Sequence, residues 1–449
     1  MAAQYLSRDE AKSLADRALG FSQADQARVN VSSSTEGNTR FAVNQVTTSG
    51  DVTNTALVVT SAFGNKIASA TTNRFDDASL RRAVETSERL ARLAPDDPEY
   101  LGELGPQDAP TRNGVFESTT AITPEQRVRA INSVTGPAAE RDLLSTGFLL
   151  HSTGSQAVAT SKGLFAYDAL SNVNFTTTVR TQDGSGSGWA GAGAYDWTDL
   201  DFASMAQRAI EKAQQSRQPR AVEPGRWTVI LEPTAVGNMV GLMMNALSAR
   251  GADEGRSYFS KQGGGNRIGE RFLDERISIY SDPTDPRLLS TPFNSEGVPN
   301  RRMEWVENGV LQNLIYDRFW ASKSNREATG FPGGYFMEGG EATIDEMIAS
   351  TERGLLVTRF WYIRGVDPRT ILFTGLSRDG TFLVENGRIS HPVKNLRWNE
   401  SPIFMLNNVE MMGRPVRISP SESSSLASAV IVPPLKVRDF TFTSISDAV

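Results

Sequence analysis

Alternating hydrophobic and polar positions, rich in β-branched residues, recur through the first two hundred residues. This period of two is typical of strands in an antiparallel sheet with one covered face. The segments that carry it are residues 28–32, 45–49, 55–61, 147–151, 157–161 and 174–181. We therefore predict an antiparallel sheet built from several short strands.

Helices are indicated in the same part of the chain by apolar positions spaced three and four residues apart and by N-terminal caps. Ser7 and Glu10 form a capping box, since the hydroxyl can accept from the Glu10 amide while the carboxylate reaches back. Thr123 is the predicted N-cap of a second helix, because the following Pro124 is tolerated at the first helical position. The predicted helices cover residues 7–20 and 78–93, begin again at residue 124, and cover residues 201–215.

Two further segments lack either period. Residues 95–119 follow a helix that is ended by proline, and we predict a linker or surface excursion there. Residues 183–188, Asp-Gly-Ser-Gly-Ser-Gly, have the composition of a flexible loop. The loop superficially matches a Gly-x-Ser-x-Gly nucleophile elbow, but it lacks the strand-turn-helix context, so we do not assign it to catalysis.

A domain boundary is indicated where prolines and a glycine cluster in residues 217–225, just before a predicted strand at residues 227–231. We place an N-terminal domain at residues 1–220, with an antiparallel sheet and flanking helices. Residues 221–449 form a strand-rich C-terminal domain. The predicted fold class is therefore α+β.

The second half carries strong hairpin and helix signals. Asn-Gly within residues 306–310 and 384–388 predicts two β-hairpins, because both turn residues must accept positive φ. Thr343 and Glu346 form a capping box for a helix of about ten residues that ends at Gly354. A helix over residues 234–249 is rich in methionine and small residues, which favours core packing over a partner interface.

Composition narrows the possible chemistry. The 449 residues carry 46 basic and 52 acidic side chains, a formal charge of -6, which argues against direct nucleic-acid binding. We find no targeting segment and no apolar run near the roughly 18 residues of a spanning helix, so we expect a cytoplasmic protein without membrane contact. The chain has no cysteine and two histidines, His151 and His391, to which any imidazole chemistry is confined.

Several C-terminal segments occur in a recognisable order. They are the strand at 227–231, Pro-Thr-Ala-Val-Gly-Asn at 233–238, and the segments 269–273, 293–299, 306–310, 343–348, 383–387, 391–394 and 434–437. This order resembles the TldD/PmbA (TldE) family, which includes proteins known as modulators of DNA gyrase. The resemblance covers about residues 225–440, and the N-terminal part has the expected size and mixed character.

The resemblance implies that this chain lacks the family's zinc site. In TldD-type subunits the helix after that strand carries His-Glu-x-x-x-His, and a distant cysteine adds a third ligand. Here Pro233 and Asn238 stand at the histidine positions, Thr234 at the glutamate and Ser419 near the cysteine. None of them supplies imidazole, carboxylate or thiolate. The chain therefore resembles the PmbA/TldE-type subunit, and we expect no metal, cofactor-binding or catalytic residues in it.

Other candidate sites are weak. His151 and His391 lie far apart and in no recognised ligand spacing, so we favour structural or surface roles. The glycines of residues 262–265 lack the Lys-Ser/Thr of a phosphate loop; we favour a mobile loop, with a place at the border of a substrate cavity as the alternative. The aromatic pairs and triplets at 319–320 and 360–362 are interpreted as core or interface anchors.

These observations lead to one preferred hypothesis for the function. By resemblance, the chain is expected to be a non-catalytic subunit that forms a heterodimeric zinc peptidase with a TldD-like partner, which supplies the zinc, and acts on small or unfolded peptides. One alternative is a self-associating regulatory or binding protein, with a homodimer as its assembly. The other is a metal-independent amidase that uses carboxylates and hydroxyls.

Overall fold

The first half of the protein is built around one antiparallel sheet. The computed structural model describes residues 5–330, 333–419 and 429–446. The strands of the first sheet are β1 (Gln26–Ala42), β2 (Gln45–Phe63), β3 (Lys66–Thr72), β4 (Leu143–Thr160), β5 (Phe165–Thr181) and β6 (Ser187–Ala194). Their order is β3-β2-β1-β4-β5-β6, and every neighbouring pair is antiparallel.

The strands are much longer than the sequence pattern predicts. Residues 45–49 and 55–61, predicted as separate strands, belong to β2, and residues 147–151 and 157–161 both belong to β4. Apart from the exposed Val52, the intervening residues are polar or glycine, and in β2 most of residues 45–54 are exposed. Hydrophobic alternation is absent there, but the backbone ladder continues because it requires no apolar side chains.

Helices cover one face of the first sheet. They are α1 (Arg8–Gly20), α2 (Asp77–Leu93), α3 (Glu117–Thr120), α4 (Pro124–Glu140) and α5 (Phe202–Gln215). The predicted capping box at Ser7 and the predicted helix start at Thr123 are confirmed, since both hydroxyls accept from the amide three residues on. Val29 and Val31 of β1 are buried in a cluster with residues of α1 and α2. The alternate residues of β1, which include Ser32, face the opposite side.

The predicted excursion at residues 95–119 is irregular up to α3 and is tied to the first sheet. Glu103 of this segment is buried and forms a salt bridge of 3.1 Å with Arg28 of β1. The predicted flexible loop at 183–188 is wrong for its last two residues, because β6 begins at Ser187. A Cβ on Gly188 would lie 2.2 Å from the Ala209 carbonyl oxygen of α5. Glycine there allows close packing of helix on sheet, rather than mobility.

The second half, from residue 221 onward, contains two further sheets. The strands are β7 (Gly225–Leu231), β8 (Ile279–Ser281), β9 (Met303–Glu307), β10 (Val310–Leu311), β11 (Gly334–Met337), β12 (Arg353–Asp367), β13 (Leu372–Glu385), β14 (Arg388–Pro392), β15 (Leu396–Glu400), β16 (Val409–Met412), β17 (Val416–Arg417), β18 (Ala429–Val432) and β19 (Leu435–Ile445). The helices are α6 (Pro233–Asn245), α7 (Ala249–Asp253), α8 (Arg318–Lys323), α9 (Ile344–Ala349) and α10 (Pro402–Asn407).

One of these sheets has the order β10-β9-β8-β11-β18-β17, and the other has β12-β7-β19-β15-β13-β14 with β16 added on β19. The pairs β11–β18 and β7–β12 are parallel, whereas the other pairs are antiparallel. A large apolar cluster joins α6 to both sheets. The predicted α+β class is confirmed.

Both Asn-Gly hairpins are confirmed, since the turns at Asn308-Gly309 and Asn386-Gly387 have positive φ at all four residues. The predicted ten-residue helix is shorter, because α9 spans 6 residues and Ser350 takes the C-cap. Gly354 lies in β12 instead. The chain leaves the helix early because the backbone carbonyls of residues 351 and 352 accept from the β13–β14 turn.

The helix predicted over residues 234–249 ends at Asn245. The chain then becomes extended and pairs with Ile315, whose amide donates to the Leu247 carbonyl at 2.7 Å. Ser248 caps the separate helix α7. Within the described residues, no helix is both long and apolar enough to cross a membrane.

His151 of β4 is buried beside an ion pair on the helix-covered face of the first sheet. Arg127 of α4 binds Asp51 of β2 with both terminal nitrogens, at 2.8 and 3.0 Å. Burial lowers the pKa of His151 to about 4, the Arg127 charge acts in the same direction, and Asp51 opposes them. In the described part of the chain, the Nε2 atom of His151 has no hydrogen-bond partner. The folded protein therefore favours the neutral imidazole.

The free energy of unfolding is expected to fall as the pH is lowered from about 6.5 to about 4, since the unfolded histidine takes up a proton that the folded one does not. The loss from His151 alone is about 3 kcal/mol at most. Urea unfolding at several pH values measures it. In the His151→Gln variant, the number of protons taken up on unfolding over this pH window should be smaller by about one. An unchanged pH dependence of the free energy of unfolding would contradict the neutral state of His151.

Candidate functional site

Three of the four positions that the family resemblance assigns to the metal motif lie in the first turns of α6. Pro233 and Thr234 begin the helix, and Asn238 lies further along it. Glu232 is the N-cap residue, but its side chain makes no capping hydrogen bond. Its carboxylate instead binds the ammonium group of Lys212 from α5 at 2.5 Å. The start of α6 is thus anchored to the helix layer of the first half.

The fourth position, Ser419, is brought to the same place. A Cβ on Gly237 would lie 2.2 Å from Cδ1 of Ile418, so the segment before Ser419 packs directly on α6. Ser419 is fully buried, and its hydroxyl accepts a hydrogen bond of 2.7 Å from the Asn174 side-chain amide of β5. The structure therefore places α6, the Ser419 segment and the first sheet in one contact region.

The residues at these positions do not fit a zinc ion. Proline has no side-chain donor, and the hydroxyls and amide of Thr234, Ser419 and Asn238 are not the imidazole, thiolate or carboxylate ligands that zinc takes. Over residues 5–330, 333–419 and 429–446, no cluster of three or more His, Cys, Asp or Glu side chains could hold a metal. The side chains at these four positions therefore do not provide the ligand chemistry of a zinc site.

The two histidines are not brought together. His151 lies on β4 against Arg127, on the helix-covered face, while Asn174 and Ser419 meet on the opposite face. His391 lies on β14, in the sheet that contains β7.

A cluster of charged side chains lies next to the start of α6. Lys212 also donates to the Thr358 hydroxyl at 3.0 Å, and burial lowers its pKa while the Glu232 carboxylate opposes that shift. Asp379 of β13 accepts from Arg359 at 2.7 Å and from Ser187 at 2.6 Å. Burial alone would raise the pKa of Asp379, but Arg359 and these hydrogen bonds hold it below its usual value. Sequence reasoning missed this cluster because its members come from four separate elements.

A cavity of 350 Å³, which we call the polar groove, adjoins the Ser419 region. Its floor is the helix-free face of the first sheet, and its wall includes Arg112 and Tyr195 of the first half and Thr291 and Arg417 of the second half. It is lined by Ser32, Ser33, Ser34, Glu36, Arg112, Leu150, Ser152, Gly154, Ser155, Gln156, Asp168, Leu170, Asn172, Tyr195, Thr291 and Arg417. Hydroxyls and amides dominate the list, so the groove suits a ligand with many hydrogen-bonding groups.

Two arginines in the polar groove differ in their pairing. Arg112 forms a bidentate pair with Asp168, at 2.9 and 2.7 Å, and both side chains are buried. Arg417 lies over the Tyr195 ring, with its Cζ atom 3.7 Å from the ring centroid. Burial lowers the pKa of Arg417, while the charges of Tyr195 and Asp199 act in the opposite direction. The sequence carried no signal for either arrangement.

Other predicted features lie elsewhere. The glycines at 263–265 all have positive φ and do not line the polar groove. Trp320 is buried and donates to Asp253 at 2.7 Å, which agrees with a core anchor. Phe360 is also in the core, whereas Tyr362 is exposed.

Comparison with known proteins explains this arrangement. Residues 27–91, 117–217 and 224–444 match the sequence models of the PmbA/TldA metallopeptidase domain 1, central domain and C-terminal domain. The chain belongs to the PmbA/TldA metallopeptidase family. The predicted resemblance is thereby confirmed.

Relatives in this family are named metalloproteases. The chain is 25% identical over 369 residues to the metalloprotease PmbA homolog of Haemophilus influenzae, covering 76% of this chain and 77% of that protein. It is 25% identical over 235 residues to the zinc metalloprotease TldD homolog of Saccharolobus solfataricus, covering 49% of this chain and 51% of that one. The chain spans between 51% and 61% of the length of the first curated relatives it matches.

Solved structures share the fold over nearly the whole chain. The crystal structure of TldE from Thermococcus kodakarensis has a TM-score of 0.83 at 17% identity, covering 96% of this chain and 99% of that one. A putative modulator of a DNA gyrase from Thermotoga maritima has a TM-score of 0.84 at 19% identity, covering 96% and 100%. At this identity the likeness shows the fold alone.

Removal of Lys212 is expected to destabilise the protein strongly. Lys212→Met should lower the free energy of unfolding by about 3–5 kcal/mol, because the largely buried Glu232 carboxylate loses its compensating charge. In urea unfolding, the double variant Lys212→Met/Glu232→Gln should lose less free energy of unfolding than the two single variants lose in sum. Arg208→Met, on the exposed face of α5, is the control and should change stability by less than about 0.5 kcal/mol. A cost below about 1 kcal/mol for Lys212→Met would disprove the role of this pair.

Proposed function

We propose that this chain is a non-catalytic, TldE-like subunit of a two-subunit zinc peptidase that acts on small or unfolded peptides. The observation that carries the proposal is the contact of α6 with the Ser419 segment. The two parts are in contact, since Gly237 packs against Ile418, while Pro233, Asn238 and Ser419 stand at the positions that we propose correspond to the zinc ligands of a TldD-type subunit. In this proposal a TldD-like partner supplies the zinc and the general base.

The polar groove gives this subunit a role of its own. Its floor of serine, asparagine and glutamine side chains can exchange hydrogen bonds with a peptide backbone, and it borders the Ser419 region through Arg417 and Asn172. We assign to it a part of the wall that holds the peptide. The chemistry of bond cleavage belongs to the partner.

The proposal predicts that activity depends on the partner. The purified chain alone should contain no stoichiometric zinc and should not cleave an unstructured peptide. After addition of a family member that carries His-Glu-x-x-x-His, a complex should form and cleavage should depend on zinc. Metal content by mass spectrometry, complex formation by size-exclusion chromatography, and cleavage by chromatography measure these three points.

Each alternative has its own outcome in this experiment. Stoichiometric zinc with hydrolysis by the lone chain would overturn the proposal. Hydrolysis by the lone chain in the presence of a chelator would identify a metal-independent amidase. A stable homodimer that does not bind the zinc-bearing family member would identify a regulatory or binding protein.

A second prediction concerns the substituted positions. The variant with Pro233→His, Thr234→Glu, Asn238→His and Ser419→Cys should gain zinc, because the helix and the Ser419 segment already meet. The matched variant that keeps Ser419 should bind zinc more weakly, since it lacks the thiolate ligand. Zinc binding by competition with a chromogenic chelator measures both. A folded quadruple variant without zinc would show that these positions do not form one ligand set.

A further inference from the structure

The floor of the polar groove is ordered by the register of three strands. Glu36 of β1 pairs with Ser152 of β4, and Ser152 pairs with Asn172 of β5. Directly paired residues lie on the same face of a sheet, so the three side chains form one row across it. Neighbouring strands are about 4.8 Å apart, and the row is therefore roughly 10 Å long.

Charges of opposite sign stand at the two ends of this row. Glu36 is exposed on the floor at one end. At the other end, the terminal nitrogen of Arg417 lies 3.5 Å from the Asn172 side-chain oxygen. Tyr195, on which Arg417 stacks, is itself held by a hydrogen bond from its hydroxyl to the Leu288 carbonyl. The guanidinium is thus fixed in position at the end of the row.

Within residues 5–330, 333–419 and 429–446, no carboxylate forms a salt bridge with Arg417, in contrast to the other arginine of the groove. The salt bridges of the described residues include Arg112 with Asp168 but none of Arg417. In the described part of the chain, Arg417 stacks on Tyr195 and makes one long contact with a neutral amide, and none of its five guanidinium donors is paired with a carboxylate. A partly buried guanidinium in a polar cavity is well suited to bidentate recognition of a carboxylate.

The size of the cavity limits the ligand. A volume of 350 Å³ is near the lower end of the range of small-ligand sites, which is about 300–1,000 Å³. An extended chain spans at most about 3.3–3.6 Å per residue, so three residues cover the row of roughly 10 Å. A zwitterionic tripeptide therefore matches the cavity in length and in the sign of its ends.

We propose that the polar groove binds a peptide of about three residues, with its terminal carboxylate on Arg417 and its ammonium group toward Glu36. The inference rests on the proposed function for the peptide nature of the ligand, and it adds the size, orientation and recognition group. Serine and glutamine side chains on the floor complete the contacts through the peptide backbone. The groove thereby selects free peptide ends rather than a side-chain sequence.

Isothermal titration of the lone full-length chain with trialanine tests this without a partner or zinc, so a failure of cleavage with the partner does not affect the result. Trialanine should bind, and trialanine amide should bind on the order of 10- to 100-fold more weakly, since a charge-assisted hydrogen bond is lost. N-acetyl-trialanine should also bind more weakly. Equal binding of the amide would overturn the assignment of Arg417, and equal binding of the acetylated peptide would overturn the orientation.

Variants give the matching result from the protein side. Arg417→Gln should weaken trialanine binding on the order of 10- to 100-fold, and Arg417→Lys should weaken it less, because charge is kept but the planar fork is lost. Arg414→Gln is the control, since Arg414 is exposed and pairs with Glu341 on the surface. Thermal unfolding checks that each variant is folded.

A titration with succinate distinguishes a peptide carboxylate from the carboxylate of a small organic acid. Succinate carries carboxylates but neither an ammonium group nor a peptide backbone, and it should bind far more weakly than trialanine. Binding of succinate without binding of trialanine would replace the peptide with a small organic acid and overturn the proposal. Absence of binding by every probe to the folded chain would overturn it as well.

Discussion

The register of the long antiparallel strands is the constraint from which the rest of the structure follows. Successive residues of a strand face opposite sides, so β1 places Val29 and Val31 under helices and Ser32 and Ser34 on the other face. The apolar face binds the helix layer. The polar face is left for contact with the second half of the chain, and the groove forms where that contact is incomplete.

The packing around α6 does not depend on any metal ligand. The position of this helix depends on backbone approach and burial, as Gly237 against Ile418 and the hydrogen bond from Asn174 to Ser419 indicate. Neither contact requires a zinc ligand. The packing around α6 therefore requires no metal ligand at Pro233 or Asn238, because the contacts that maintain it come from other residues.

Buried charges in this protein serve two different purposes. The pairs Lys212–Glu232 and Arg112–Asp168 are internally compensated, which suits residues that join parts of the fold. Arg417 lies in the same cavity as Arg112 but is held by stacking on Tyr195. Desolvation of a charge is tolerated most readily when an anion is available, and this difference distinguishes a structural arginine from one suited to a ligand.

The sequence by itself determined the features that depend on a few neighbouring residues. The helix caps at Ser7 and Thr123 and the turn at Asn308 were predictable because each satisfies its backbone groups locally. The strand lengths were not predictable, since the exposed half of β2 lacks the apolar alternation and is held by backbone pairing alone. The ends of α6 and α9 likewise depend on pairing with distant segments.

For the candidate site, the sequence supplied the identities of the substituted positions through the family resemblance, while the tertiary structure decided their environment. Asn174 and Ser419 are 245 residues apart, and no local pattern indicates that they meet. The contact of Arg417 with Tyr195 also joins residues that are remote in sequence. Such contacts arise from the packing of one half on the other, because the polar face of the first sheet selects its neighbours by shape and charge rather than by sequence proximity.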